Sequence, residues 1–522
     1  MINCIREKKM EEIELSNNTE NEMTDNRGSN DRMIDIPSKI FLIAMFLAYP
    51  LVFRDYYYDI VTCKYVMLIC FTLLLLVGTL LLNRRKIGTV FRLSSLDFII
   101  ILLFFLNLLS ILGSDYKLDA LNGSDGRNNG LITAFLYMVI FIIVSRGTYN
   151  RNRFFLLLAV GSIPVALLGI LNFADIDFLG FYDGLQIEQK QFYMSTLGHV
   201  NVYSSYFALT IPVLLNRYLE TNRFWERIFY FLTALLNIAA LLCGGCESAG
   251  LILGVAVICV IFSCKRLQML KWICLVGAVL VLNKCFIFIN ENSQEKRVIS
   301  QTMQLFEKRW VVLLLMGICL LLLLGEWLLT QKNKVQILRK SVLGVLIAIP
   351  VLYLGLFFWF SCIDRQTNLN GMEAFLRFSE EFGSYRGYIW KVVVQEFKTL
   401  SPYQKLFGIG TDVLRPYLVE QYGANMYHVT MAYYDNAHNE YLQYLITTGI
   451  FGLGTYCTFV GMQIRKAVKC ADKVLLCSVI CYLIQATVNL NQVVTTPLFL
   501  ILLSMCGTQR KEEKQKTENQ NI

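Results

Sequence analysis

The sequence predicts an all-α polytopic membrane protein, with about fourteen transmembrane helices and one large extracytoplasmic loop containing amphipathic helices. Three observations carry that reading. Of the 522 residues, 55% are hydrophobic and only 17% charged, whereas a soluble chain carries about a quarter charged residues. Apolar runs such as 98–112 and 311–324 recur along the chain, and about 20 apolar residues suffice to cross about 30 Å of hydrocarbon as a helix. Basic residues cluster between the runs, at Arg84/Arg85/Lys86, Arg151/Arg153, Lys265/Arg266, Lys332/Lys334, Arg339/Lys340 and Arg465/Lys466, which is the pattern of cytoplasmic loops. The net charge of +9 therefore belongs to membrane topology and not to a nucleic-acid footprint.

Spans are expected at 36–53, 61–82, 97–113, 130–145, 152–173, 200–216, 227–243, 248–263, 271–289, 310–329, 341–360, 441–463, 474–491 and 496–507. Residues 1–35 are polar and rich in Asn and Glu, and read as a disordered cytosolic tail and not as a signal peptide. Residues 508–522 read as a second cytosolic tail. Alternation from a cytosolic N-terminus places these clusters inside, with the basic loop 290–309 as the exception. The organisation is thus helices one to eleven over 36–360, the large loop over 361–440, and helices twelve to fourteen over 441–507. With no signal peptide and a positive-inside pattern, a bacterial plasma membrane with both termini cytoplasmic is expected.

Most of the sixteen cysteines lie within apolar runs, where Cys acts as a small hydrophobe. Cys243-Gly-Gly-Cys246 has no second Cys or His pair and reads as a tight corner between helices. Asp55 and Asp59 flank a Tyr run that fits an interfacial belt. No P-loop, dinucleotide fingerprint or HExxH occurs, so ATP-driven transport by this chain alone is unsupported.

The outside loops hold the candidate chemistry. A connection as long as 361–440 is expected to be ordered, since long structureless loops are rare in compact proteins. Within it, 384–400 reads as an amphipathic helix with Ser384 as N-cap and Ile389, Val392, Val393 and Phe397 on one face. Ser401-Pro402 stops it, and Phe407-Gly408-Ile409-Gly410 makes a tight turn. His438 follows Asp435-Asn436, an N-cap pair, and is expected in the first turn of helix twelve. Free N–H groups there would favour an anion, and the helix dipole would keep the imidazole neutral. A base beside a phosphate site suits group transfer, while an interfacial histidine bonded to the loop fits the same position. Arg386, one turn before Trp390, would either hold a phosphate or anchor to headgroups. His428 lies mid-loop between Tyr427 and Tyr433, with a structural or glycan-contact role.

Taken together, several motifs resemble the O-antigen ligase/polymerase superfamily in order and spacing. They are Gly126-Arg127-x-x-Gly130-Leu131, Gly198-x-x-Asn201, Arg386-x-x-x-Trp390, Lys405-Leu406-Phe407-Gly408-Ile409-Gly410, His438-Asn439-x-Tyr441-Leu442-Gln443 and Gly449-Ile450-Phe451-Gly452. The resemblance implies a metal-independent glycosyltransferase of the GT-C membrane class that needs no cofactor. Such an enzyme passes a glycan from an undecaprenyl-pyrophosphate donor to an acceptor hydroxyl on a glycan, lipid or wall polymer. It implies His438 as the catalytic histidine and Arg386 and Arg127 as donor pyrophosphate ligands, with Asn439, Trp390, Asn201 and His199 in support. Where the family often has Ser-Arg-Gly, this chain reads Ser248-Ala249-Gly250, and Arg297, Lys308 or Arg309 would have to supply the missing charge. A lipid-linked glycan flippase or other secondary transporter is the alternative, since these too have about fourteen helices. Its spans would carry paired repeats and buried charges. A non-catalytic partner in polysaccharide export is a third reading.

Overall fold

The computed structural model describes residues 36–84, 93–124, 126–293, 295–330, 334–369, 372–431 and 433–506. The tails expected at 1–35 and 508–522 lie outside them. The chain is mostly helical, and the one sheet among the described residues is a hairpin of two-residue strands, β1 (Tyr193–Met194) and β2 (Gly198–His199).

Seventeen of the helices among the described residues organise the molecule. The first eleven are α1 (Ile36–Leu51), α2 (Ile60–Leu82), α3 (Ser95–Leu112), α4 (Leu131–Val144), α5 (Arg151–Phe173), α6 (Val200–Glu220), α7 (Phe224–Cys243), α8 (Ser248–Ser263), α9 (Met269–Asn292), α10 (Arg309–Thr330) and α11 (Val335–Phe358). The long loop contributes α12 (Phe382–Thr399), α13 (Pro402–Phe407) and α14 (Leu414–Thr430). The last three are α15 (Glu440–Lys469), α16 (Lys473–Gln485) and α17 (Thr496–Met505).

A helix falls at each of the fourteen expected spans, but only eight helices among the described residues are long and apolar enough to cross a membrane. Five more are apolar but shorter, and α6 is not among the eight. The polarity of α6 has a physical reason. It carries Asn201, Tyr203, Ser204, Ser205, Tyr206 and Thr210, is buried along nearly its whole length, and packs against α5, α7, α8 and α16. A helix sheathed in protein can satisfy hydroxyls and amides that lipid cannot. By contrast α11 has no buried residue and α10 buries only Val311 and Cys319, so both present Leu and Ile outward, and α10 also Trp310 and Trp327.

The expected span 474–491 is corrected: α16 ends at Gln485, and 486–495 is largely non-helical. Its polar groups are used elsewhere. Asn489 donates to the Asn201 carbonyl and Ser205, Asn491 accepts from Asn129, and the Ala486 carbonyl accepts from Glu440 N–H. Irregular backbone at such a depth is tolerated only when protein surrounds it.

The long loop forms a second small core. Ile389, Val392 and Val393 of α12 are buried against Val413, Leu414 and Leu418, and Phe397 packs on the edge, each aliphatic contributing about 1.5–3 kcal/mol. The start of α12 differs from expectation. Gly383, Ser384 and Tyr385 all lie in the left-handed region and Ser384 caps nothing, so the regular turns begin at Arg386. Ser401 ends one helix and opens the next, with a capping box to Gln404 and Pro402 at the first position of α13.

The Gly-rich turn and the last long helix interlock. Helix α15 is broken at Gly449 (φ 71°), and the N–H groups of Ile409 and Gly410 donate to the carbonyls of Ile446 and Thr447. A side chain on Gly408 (φ 88°) would run into the Thr447 carbonyl, and one on Gly449 into the Leu406 carbonyl. These two glycine motifs are two halves of one joint.

Candidate functional site: a histidine and arginine at the start of α15

The cap of α15 is Asn439, whose side chain accepts from the N–H groups of Tyr441 and Leu442. His438 thus precedes the helix instead of sitting in its first turn, with a left-handed φ of 45°. Neither Asp435 nor Asn436 caps the helix. Asn436 accepts from the His438 N–H at 2.7 Å, and Asp435 pairs with Arg127. The free amides expected for an anion are already used, because Asn439 takes two and Ala486 takes that of Glu440. Any anion here is held by side chains.

The segment is fixed on both flanks. Trp390 Nε1 donates to the Ala437 carbonyl at 2.9 Å, and the Ala437 N–H donates to Gln443 Oε1 at 2.9 Å. Trp390 also packs against Phe378 and Phe382. Trp390 therefore fastens α12 to the histidine segment, and Arg386, four residues earlier, lies on the same helix face.

Arg386 donates from Nη1 to the Gly383 carbonyl at 2.8 Å, and its buried Nε has no partner. Among the described residues no carboxylate pairs with it. Its charge acts on both His438 and His199. Burial, reinforced by Arg386 and opposed by Asp435, holds the His438 imidazole down to about 3. His438 is thus neutral near neutrality as expected, but through burial and Arg386 and not through a helix dipole. Its Nδ1 is buried without a partner, and the ring meets Tyr434 edge-on.

Arg127 is placed differently from the role the resemblance implies. It is buried, with Nε on Asp412 and Nη1 on Asp435, both at 2.9 Å. With both edges of the guanidinium on carboxylates, it is a strut between the early loop, the Gly-rich turn and the histidine segment. Burial would raise the Asp435 carboxyl, but Arg127 and then His438 outweigh it and hold it at about 2. The glycines around Arg127 are explained locally, since Gly126 has φ 74° and a side chain on Gly130 would clash with backbone at Ala120–Gly123. Asp412 also accepts from Asn129 N–H.

His199 caps α6, its Nδ1 accepting from Asn201 N–H at 3.2 Å, with Phe192 stacked on its ring. Burial lowers its imidazole, with Asp435 opposing and Arg386 reinforcing. His199 and His438 therefore share one electrostatic neighbourhood. Asn201 sits behind them, accepting from Cys246 Sγ at its side chain and from Asn489 at its carbonyl.

Cys243 and Cys246 are free thiols at the corner between α7 and α8, where Gly245 (φ 65°) passes beneath the Val298 carbonyl. Of the three basic residues near the missing arginine, Lys308 and Arg309 are exposed, while Arg297 is buried beside this corner. Arg297 donates to the Lys190 carbonyl and stacks on Tyr182 at 4.6 Å. Asp55 and Asp59 pair with Arg54. His428 is exposed, and the flanking Tyr427 and Tyr433 stack on each other.

Sequence reasoning missed Asp412, Asn489 and Asn491 as parts of the site. Asp412 follows the Gly-x-Gly turn directly, and two Asn within a nominal span (Asn489, Asn491) were a usable sign of unwinding.

Fold and site together define a multi-pass helical membrane protein with a neutral histidine and an unpaired arginine at a loop–helix junction. Residues 305–457 match the family model described as O-antigen ligase. That match covers Arg386, Trp390, both glycine motifs and His438, shows the resemblance to the O-antigen ligase-like superfamily, and supports a cell-surface glycan ligase or polymerase role. No curated protein matches the chain.

Proposed function

We propose that the protein is a membrane glycosyltransferase of the GT-C type. It moves a glycan from an undecaprenyl-pyrophosphate-linked donor to an acceptor hydroxyl at the outer face of a bacterial plasma membrane. The observation that carries this reading is the combination of a neutral His438, its Nδ1 without a partner, with Arg386, whose charge no carboxylate among the described residues neutralises.

Arg386 would bind the donor pyrophosphate, a task suited to a planar guanidinium. His438 would take the proton of the acceptor hydroxyl as that oxygen attacks the anomeric carbon. The bond from that carbon to the pyrophosphate oxygen breaks, and undecaprenyl pyrophosphate leaves with the electron pair. A base held at about 3 is weak in the empty site. Bound pyrophosphate offsets the Arg386 charge and adds its own, raising the imidazole's affinity for a proton when the donor is in place. In this scheme Arg127 holds Asp435, and Asp435 steadies the imidazolium that forms. Arg297 is our choice for the charge missing near Ala249, because it alone of the three is buried at that corner. No metal takes part.

The test uses purified protein with a lipid-pyrophosphate oligosaccharide, with and without candidate acceptors. A ladder formed without added acceptor identifies a polymerase, and a single-step product identifies a ligase. His438→Ala should lower turnover by about 10²–10⁴-fold, the usual contribution of a general base, with folding unchanged by size-exclusion profile. Normal product from that variant would sink the assignment. Arg386→Lys should also be severely impaired, because an ammonium cannot make the bidentate contact; full activity would leave Arg386 a headgroup anchor.

A further inference from the structure

A cavity of about 80 Å³ lies between α3, α4, α15 and α17. His438, Arg386 and Arg127 do not line it. One side is apolar, with Ile100, Leu103 and Phe104, and the other carries Asn107, Asn129, Asp412, Glu440, Gln443 and Asn491. Tyr444 and Tyr456 add aromatic surface.

Glu440 is 1% exposed, and Tyr456 donates to its Oε1 at 2.8 Å while Oε2 has no partner. A buried carboxylate oxygen without a donor is costly, so a ligand that brings a donor is favoured there. Among the described residues lining the cavity there is no Lys, Arg or His, so it does not suit phosphate. Side-chain amides, a carboxylate and tyrosine rings suit instead a neutral ring with an apolar face and hydroxyl edges. One water needs about 10–15 Å³ in this measure, so the space takes several waters or the hydroxyl edge of one sugar ring.

The geometry points to a subsite that takes the hydroxyl edge of one neutral sugar ring of the glycan substrate, with Glu440 as the hydroxyl acceptor. The inference rests on the glycan-transfer reading above, and it adds selection against acidic sugars by Glu440 when ionised, in a lining that offers them no cation; Asp412 is already paired with Arg127.

Saturation-transfer NMR on the full chain in detergent tests it, using glucose, N-acetylglucosamine and glucuronate as probes. A neutral sugar should give a signal that falls about tenfold in Ala134→Phe, which fills the cavity, as expected for losing one or two hydrogen bonds. Glucuronate should give little signal in the wild type and gain several-fold in Glu440→Gln, which keeps the shape and removes the charge. No signal from either neutral sugar, or equal signals from neutral and acidic sugars, would overturn the subsite. So would an unchanged neutral signal in a folded Ala134→Phe. If Ala134→Phe does not fold, the glucuronate response of Glu440→Gln decides. His438→Ala should retain the signal, so a failed catalytic assignment and a failed subsite give different results. In the glycan-transfer assay, whichever of donor or acceptor relieves the Ala134→Phe defect at high concentration identifies whose ring sits there.

Discussion

His438 stands at φ 45°, a conformation that costs a non-glycine residue about 1 kcal/mol or more. It is held there by Asn436 below, Asn439 at the cap and Trp390 across Ala437. The strain sets where the imidazole points, and the charges around it set when it takes a proton. Burial and Arg386 both disfavour imidazolium, so the free enzyme should lose no activity through His438 between about pH 7 and pH 5, although an ordinary histidine titrates near 6.5. kcat/KM for the donor should therefore lack an acid limb in that range. kcat reports the donor-bound state, and should show its limb at higher pH because the pyrophosphate charge favours imidazolium. Arg386→Gln removes a positive neighbour and should move the limb in kcat/KM upward. A limb near 6.5 in the wild type that the substitution leaves in place would rule out coupling between the two groups.

At the scale of elements, the decisive feature is the joint between the Gly408–Gly410 turn and the break at Gly449. The broken helix frees the carbonyls of Ile446 and Thr447, and the turn's N–H groups satisfy them, which an unbroken helix would not permit. Gly408→Ala and Gly449→Ala each place a methyl group into backbone at a positive φ, an expected cost of about 1–3 kcal/mol. Both should lower the melting temperature in detergent and speed proteolysis of the 361–440 loop; wild-type melting in both would mean the joint adapts freely. Much of this site was legible in sequence because its glycines, its Trp390 and its histidine are rare types at sharp positions. The apolar face of α12 was equally legible, since Ile389, Val392 and Val393 keep helical spacing. What escaped was long-range pairing. Nothing near Arg127 announces that Asp412 and Asp435, 285 and 308 residues on, will take its charge. The cap was misassigned because Asp435-Asn436 and Asn439 are all good cap residues, and only tertiary contacts decide among them.

For the whole molecule, the extremes of hydrophobicity mark the helix most enclosed by protein and the two least buried. Helices α10 and α11 are apolar through their central turns and almost unburied, whereas α6 is polar and enclosed. Composition revealed the class of fold for this reason, yet it overstated how many helices span by themselves. The last three helices make the point testable. Helix α15 is 30 residues long, but α16 has 13 and α17 has 10, or about 20 Å and 15 Å at 1.5 Å per residue, against about 30 Å of hydrocarbon. If both short helices and the irregular segment between them complete crossings, or if neither does, the chain crosses an odd number of times after the long loop. The loop and the C-terminus then lie on opposite sides. If only one of them crosses, both lie on the same side. We expect an epitope inserted after the exposed Met431 to be detected on intact cells, and one at the C-terminus only after permeabilisation. Detection of both on intact cells would put the C-terminus outside and leave one short helix re-entrant. Detection of neither would move the loop, and His438 with it, to the cytoplasmic face, where an acceptor at the outer surface is out of reach.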